Sequence, residues 1–178
     1  RRMEMTYERE QGVLNRLVER FGVDADQAMV KHNRIYLSVS EEIFMDALIF
    51  LKEELGFDHL CTITGLDAGE NFEFLYHVAE PGGIVMTLKF KTRREDPVSI
   101  HTVLPVYNGA TFYERELEGL LGITVEGLTP GRQYPLPDNW PKGQYPQRKD
   151  WKPSIAQESR PVLAQDAKPG LAQPNKGV

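Results

Sequence analysis

Few residues in this chain have the types and spacing to do chemistry. Cys61 is the single cysteine, and His32, His59, His77 and His101 are the four histidines. One thiol makes no internal disulfide and cannot hold an iron–sulfur cluster alone. His59 and Cys61, two positions apart, can share a strand face, yet two ligands do not complete a metal site. The better reading is a buried cysteine and partly buried histidines. A free-standing thiol enzyme using Cys61 is a rival, and alkylation of Cys61 would expose it. Glu114 and Glu118 lie four apart on one helix face, whereas the adjacent Glu114-Arg115-Glu116 point different ways. With no histidine or metal cluster nearby, they read as a solvated or interface face rather than a catalytic dyad. Pro81-Gly82-Gly83 is a hairpin turn, not a phosphate cradle. No serine sits in a Gly-x-Ser-x-Gly elbow.

The elements that must position these residues are legible from periodicity. Val13, Leu14, Leu17, Val18 and Phe21 recur at helical spacing and stop at Gly22. Ile35 to Val39 alternates as a half-buried strand. Ser40 is a candidate N-cap for a helix with the stripe Phe44, Ala47, Leu48, Leu51, Leu55, ended by Gly56. Strands are expected at Leu60–Leu66, Phe72–Val78 and Ile84–Phe90, with short turns that favour antiparallel neighbours. Ser99 to Val106 reads as irregular or a short strand, Ala110 to Leu121 as a helix, and Ile123 to Val125 as a short strand. The expected class is α+β: helices packed on a mixed or antiparallel sheet of about four to five strands, with an extended C-terminal tail. Phe72, Phe74 and Tyr76 form an aromatic core face rather than a base-stacking platform.

The chain carries a net charge of −5, unevenly spread. Residues 1–129 hold 13 Lys/Arg and 22 Asp/Glu, and residues 130–178 hold 8 and 4. An acidic body argues against nucleic acid, whose binding leans on phosphate neutralisation. The apolar runs are too short to cross a bilayer, and Arg1-Arg2-Met3-Glu4 lacks the pattern of a signal peptide, so the chain reads as soluble. The internal Met3 suggests that the true start lies elsewhere.

Nine of the twelve prolines fall in residues 130–178, where apolar periodicity is lost. The expected division is a domain over 1–127 and an extended partner-binding tail over 128–178. Within the tail, Trp140, Tyr145 and Trp151 are candidate apolar anchors, and Arg148 a candidate bidentate partner for a carboxylate on another subunit.

The run Phe112-Tyr113-Glu114-Arg115-Glu116-Leu117-Glu118-Gly119-Leu120-Leu121-Gly122-Ile123 resembles the motif of the 30-kDa subunit family of complex I. Leu136-Pro137-Asp138-Asn139-Trp140 and Pro146-Gln147-Arg148-Lys149-Asp150-Trp151 resemble two further family patterns, in the family's order. The resemblance covers roughly residues 5–152. Gly119, Leu121 and Gln147 stand where the family usually has Asp, an aromatic and Leu, and a His-Pro-Asp stretch is replaced by Leu128-Thr129-Pro130-Gly131-Arg132. These departures point to the branch of membrane-bound, ferredoxin-linked energy-converting [NiFe]-hydrogenases. The alternative is the equivalent subunit of an NADH– or F420H2–quinone oxidoreductase or a sulfur-reducing relative.

What the resemblance implies is a scaffold subunit with no catalytic residue, cofactor or metal of its own. It would sit on the cytoplasmic face of the membrane without inserting. Its expected partners are a large hydrogenase-type subunit and a small [4Fe-4S] subunit, and the partner subunits would carry the clusters and any NiFe centre. The residues expected at the partner interface are Glu114, Arg115, Glu116, Arg132, Trp140, Tyr145, Arg148, Lys149, Asp150 and Trp151.

Overall fold

The computed structural model describes residues 7–153. The N-terminal residues around Met3 and residues 154–178 of the expected tail lie outside the described residues. Helix α1 (Glu8–Phe21) buries Leu14 and Leu17, and Gly22 ends it in the left-handed region at φ 65°. That conformation is cheap for a residue without Cβ. A hairpin of β1 (Ala28–Lys31) and β2 (Arg34–Ser38) follows. Helix α2 (Glu41–Glu53) buries Phe44, Ala47, Leu48 and Leu51, and Ser40 occupies its N-cap position without a side-chain capping bond. The helix ends at Glu53, short of Gly56. β3 (His59–Asp67), β4 (Asn71–Ala79) and β5 (Val85–Arg93) form an antiparallel meander.

The strand order of the five-stranded sheet is β1-β2-β5-β4-β3. β2 runs parallel to β5, so the sheet is mixed. Beyond it, β6 (Ser99–His101) and β7 (Thr124–Glu126) pair in parallel on either side of helix α3 (Thr111–Leu121) in sequence. Phe72, Phe74 and Tyr76 are fully buried, as the core reading requires. Phe44 stacks obliquely on Tyr76 and Phe90, at ring separations of 4.6 and 4.5 Å. The Tyr76 hydroxyl has no hydrogen-bond partner among the described residues, and burial pushes its phenol up, with Glu114 adding to the effect.

α3 packs on β3 at Gly65. A Cβ there would stand 2.5 Å from Leu117 Cδ2 and 2.6 Å from Leu121 Cδ1, so the glycine lets the helix approach the strand. Two expectations change. β1 is not among the expected strands, because its four residues alternate only over Ala28–Lys31 and the turn chemistry rests on Asn33 at φ 54°. The histidines are not partly buried as a group: His32, His59 and His101 are exposed. Only His77 is half-buried, with Nδ1 2.9 Å from Thr87 Oγ1. Burial lowers its pKa, and Arg34 adds to that. Cys61 is half-buried.

Candidate partner-binding surface

Helix α3 organises both ends of this surface. Its buried face recurs at Glu114, Leu117 and Leu121. Glu114 is fully buried, its carboxylate accepting from Thr102 Oγ1 and Val103 N at 2.6 Å each. It therefore ties the helix to the end of β6 and cannot touch a partner. The expectation of an interface Glu114 is corrected: helical periodicity puts it on the core side, and two internal donors replace water. Glu116 is half-buried. Glu118 is half-buried too, and its carboxyl is pushed up by desolvation.

The last carbonyls of an α-helix lack intrahelical donors, and its C-terminus favours a cation. Here the chain itself returns to supply both. Gln147 N donates to Leu120 O at 3.1 Å, and Arg148 Nε donates to Leu121 O at 2.6 Å. The two remaining Arg148 nitrogens form a bidentate pair with Asp96, at 2.6 and 2.8 Å. Its guanidinium lies 4.8 Å from the Tyr145 ring centre and 5.4 Å from that of Phe72. The Arg148 hydrogen bond holds the Asp96 carboxyl below its usual range. Lys149 N donates to Asp67 Oδ2 at 2.9 Å. Arg94 bridges Asp67 and Asp150 at 3.2 and 2.6 Å, as ionic contacts rather than aligned hydrogen bonds. Trp140 and Trp151 lie 6.1 Å apart, and both indole N–H groups donate to Gln144.

Residues 144–151 are thus part of the body, and the expected boundary at 127 does not hold for them. Tyr145, Arg148, Asp150 and the two tryptophans, expected to reach another subunit, instead satisfy this chain's own helix end, carboxylates and each other. The physical reason is that α3 ends in unpaired carbonyls beside the Phe72 face, and Arg148 answers both.

The other end of α3 does face outward. Arg115 donates to Thr129 O at 2.7 Å, and Arg132 pairs with Asp138 at 2.8 Å. Tyr134 O presses on Gly119, where a Cβ would come to 2.7 Å. Gly119→Ala is therefore expected to lower stability by about 1 kcal/mol despite the better helix propensity of alanine, measured as the urea midpoint. Phe112 is 63% exposed and meets Tyr134, 41% exposed, edge-on at 5.3 Å. With Arg115, Arg132, Leu136 and Pro137 they line an open hollow of about 540 Å³. Phe112 stands apart from the other apolar residues of its helix. The spacing of the buried positions places it on the opposite side, which is the signal the sequence offers.

Among the described residues, no three His, Cys, Asp or Glu side chains gather as a metal-sized group. No described helix is long and apolar enough to cross a membrane. The profile of the family described as respiratory-chain NADH dehydrogenase, 30 Kd subunit, matches residues 37–157. The chain belongs to this family. Among its 30-kDa relatives is a subunit of the F(420)H(2) dehydrogenase of Methanosarcina mazei, 34% identical over 122 residues, covering 67% of this chain and 76% of the relative. Membrane-bound hydrogenase subunit beta of Pyrococcus furiosus is 28% identical over 151 residues, 79% of this chain and 84% of the relative. A chain of the membrane-bound sulfane sulfur reductase, an archaeal respiratory membrane complex, superposes with a TM-score of 0.75. That match covers 94% of this chain and 99% of the other at 22% identity, so it speaks for the shared fold.

Proposed function

We propose that this chain is a non-redox scaffold subunit in the peripheral arm of a respiratory complex related to complex I. Its membership of the 30-kDa family, and relatives that are subunits of F420H2 dehydrogenase and membrane-bound hydrogenase, support the subunit role. The specific reading is a membrane-bound, ferredoxin-linked [NiFe]-hydrogenase. The chain would lie peripherally on the cytoplasmic face, against a large hydrogenase-type subunit and a small [4Fe-4S] subunit that carry the redox centres. The Methanosarcina relative favours a second reading, the F420H2-linked branch. Finding two Cys-x-x-Cys pairs in the large subunit of the native complex would select the first.

The observation that carries the scaffold reading is the exposed Phe112–Tyr134 pair with its arginine rim. Aromatics and arginine dominate binding energy at interfaces, and this pair belongs to no core of its own. Holding neighbours rigidly is how a chain without cofactors contributes, since electron transfer depends on the spacing of clusters. The double variant Phe112→Ala, Tyr134→Ala should reduce recovery of the large subunit with the tagged chain about tenfold or more. The melting temperature of the isolated chain should stay within a few degrees. Undiminished recovery would remove this surface from the interface.

A further inference from the structure

All three helices contact the same side of the five-stranded sheet, that of Phe72, Phe74 and Tyr76, and leave the opposite face open. Cross-strand register defines the open face row by row. One row is Met29, Tyr36, Thr87, His77 and Thr62; the next holds Ser38, Lys89, Leu75 and Thr64. Lys31 pairs with Arg34 in a flanking row, and Lys91, Glu73 and Leu66 form another. Met29 is 52% exposed and Leu66 45% exposed. Met29, Tyr36, Leu75 and Thr87 border a hollow of about 480 Å³, which Lys31 and Lys89 also line.

The charge on this face is opposite to that of the body. Residues 1–129 contain 13 Lys/Arg and 22 Asp/Glu. Yet the open rows carry Lys31, Arg34, Lys89, Lys91 and Arg93 against a single carboxylate, Glu73. Glu73 engages Lys89 at 3.6 Å, and Arg93 turns to Glu95 at 3.1 Å. Lys31, Arg34 and Lys91 have no carboxylate within 4.0 Å among the described residues.

We propose that this open face docks an acidic segment of a neighbouring protein subunit, with an apolar side chain entering the hollow between Lys31 and Lys89. Charge complementarity selects the occupant. Residues 154–178 of this chain carry three cations and two carboxylates, a balance of 3 − 2 = +1, and are the wrong sign to cover it. A polyanion such as nucleic acid or a lipid surface would meet the repulsion of an acidic body around the patch. An acidic protein segment is short enough to meet the patch alone, and its apolar residue answers Met29, Tyr36 and Leu75.

This inference rests on the subunit reading above. Its test is amine footprinting of the full chain, alone and within the complex purified through a tag on it. Acetylation by N-hydroxysuccinimidyl acetate at Lys31, Lys89 and Lys91 is followed by peptide mass spectrometry. Zero-length carbodiimide coupling then identifies the partner carboxylates. Within the complex, Lys31 and Lys91 should react about tenfold more slowly and couple to Asp or Glu of another subunit. Unchanged reactivity in a chain that still co-purifies with its subunits would overturn the docking face and leave the proposed function standing. Coupling only to a second copy of this chain, or protection that needs anionic phospholipid vesicles, would overturn the named occupant. A chain that co-purifies with no subunit at all would overturn both readings together.

Discussion

Glu114→Ala is expected to destabilise the isolated chain by about 3 kcal/mol at neutral pH, read as a fall in the urea midpoint at constant slope. The wild-type carboxylate is fully buried and closes two hydrogen bonds of 2.6 Å, to Thr102 Oγ1 and Val103 N. Alanine leaves a buried backbone N–H without an acceptor, at about 1–3 kcal/mol, and adds a cavity. Glu114→Gln separates the bonds from the charge. The amide has nearly the same shape, its oxygen can accept from Val103, and the Thr102 hydroxyl can turn to accept from its NH2 group. It should cost about 1 kcal/mol or less. Equal losses in the two variants would mean that the bonds contribute nothing and that the charge itself matters.

Arg148→Ala should lower the stability of the isolated chain by about 2 kcal/mol. Three donors disappear at once: the bidentate pair to Asp96 and the bond to Leu121 O, along with the stacking on Tyr145 and Phe72. Asp96 is 57% exposed and regains water when its partner goes, which keeps the loss below that of a sealed ion pair. The effect depends on pH with a definite sign. Arg148 depresses the folded-state pKa of Asp96. The pair's contribution is therefore complete above the unfolded carboxyl value of about 3.9 and is lost as pH falls through the lower folded value. Wild type and variant should differ most at neutral pH and converge in acid. A constant difference down to the acid limit would assign the loss to packing and to the Leu121 bond. Arg148→Lys should recover little, because one ammonium cannot serve two carboxylate oxygens and a carbonyl in this geometry.

Much of the fold is readable because local rules and tertiary demands agree. The stripe of α1 ends at Gly22 where a left-handed residue is needed, and the alternation of β4 puts Phe72, Phe74 and Tyr76 on one buried face. β1 is hidden because a four-residue edge strand has too little pattern, and its pairing depends on a positive φ at Asn33. The partner surface is harder to read. Proline density and lost periodicity do describe residues 130–151, but they cannot show that α3 ends in open carbonyls a distant arginine will meet. Arg148 is indeed a bidentate cation held among aromatics, as its neighbours suggest, but its carboxylate lies 52 positions upstream in the same chain. Phe112 is the converse case, an apolar residue of α3 whose helical phase points it to solvent.

The parallel pairing of β2 with β5 fixes the order in which the molecule can assemble. Arg34 sits opposite Val85, so the two strands meet across a separation of 51 residues, whereas β3, β4 and β5 are joined by tight turns. Short-range pairings form at a small loop-closure cost, and long-range ones wait for them. During synthesis from the N-terminus, the β1–β2 hairpin and α2 leave the ribosome well before β5, the strand that β2 must join. The meander therefore acts as the template, and the N-terminal third completes the sheet by docking onto a finished edge. Until that happens, the apolar faces of α1 and α2 have no sheet to cover, so this interval is when the nascent chain most needs a chaperone.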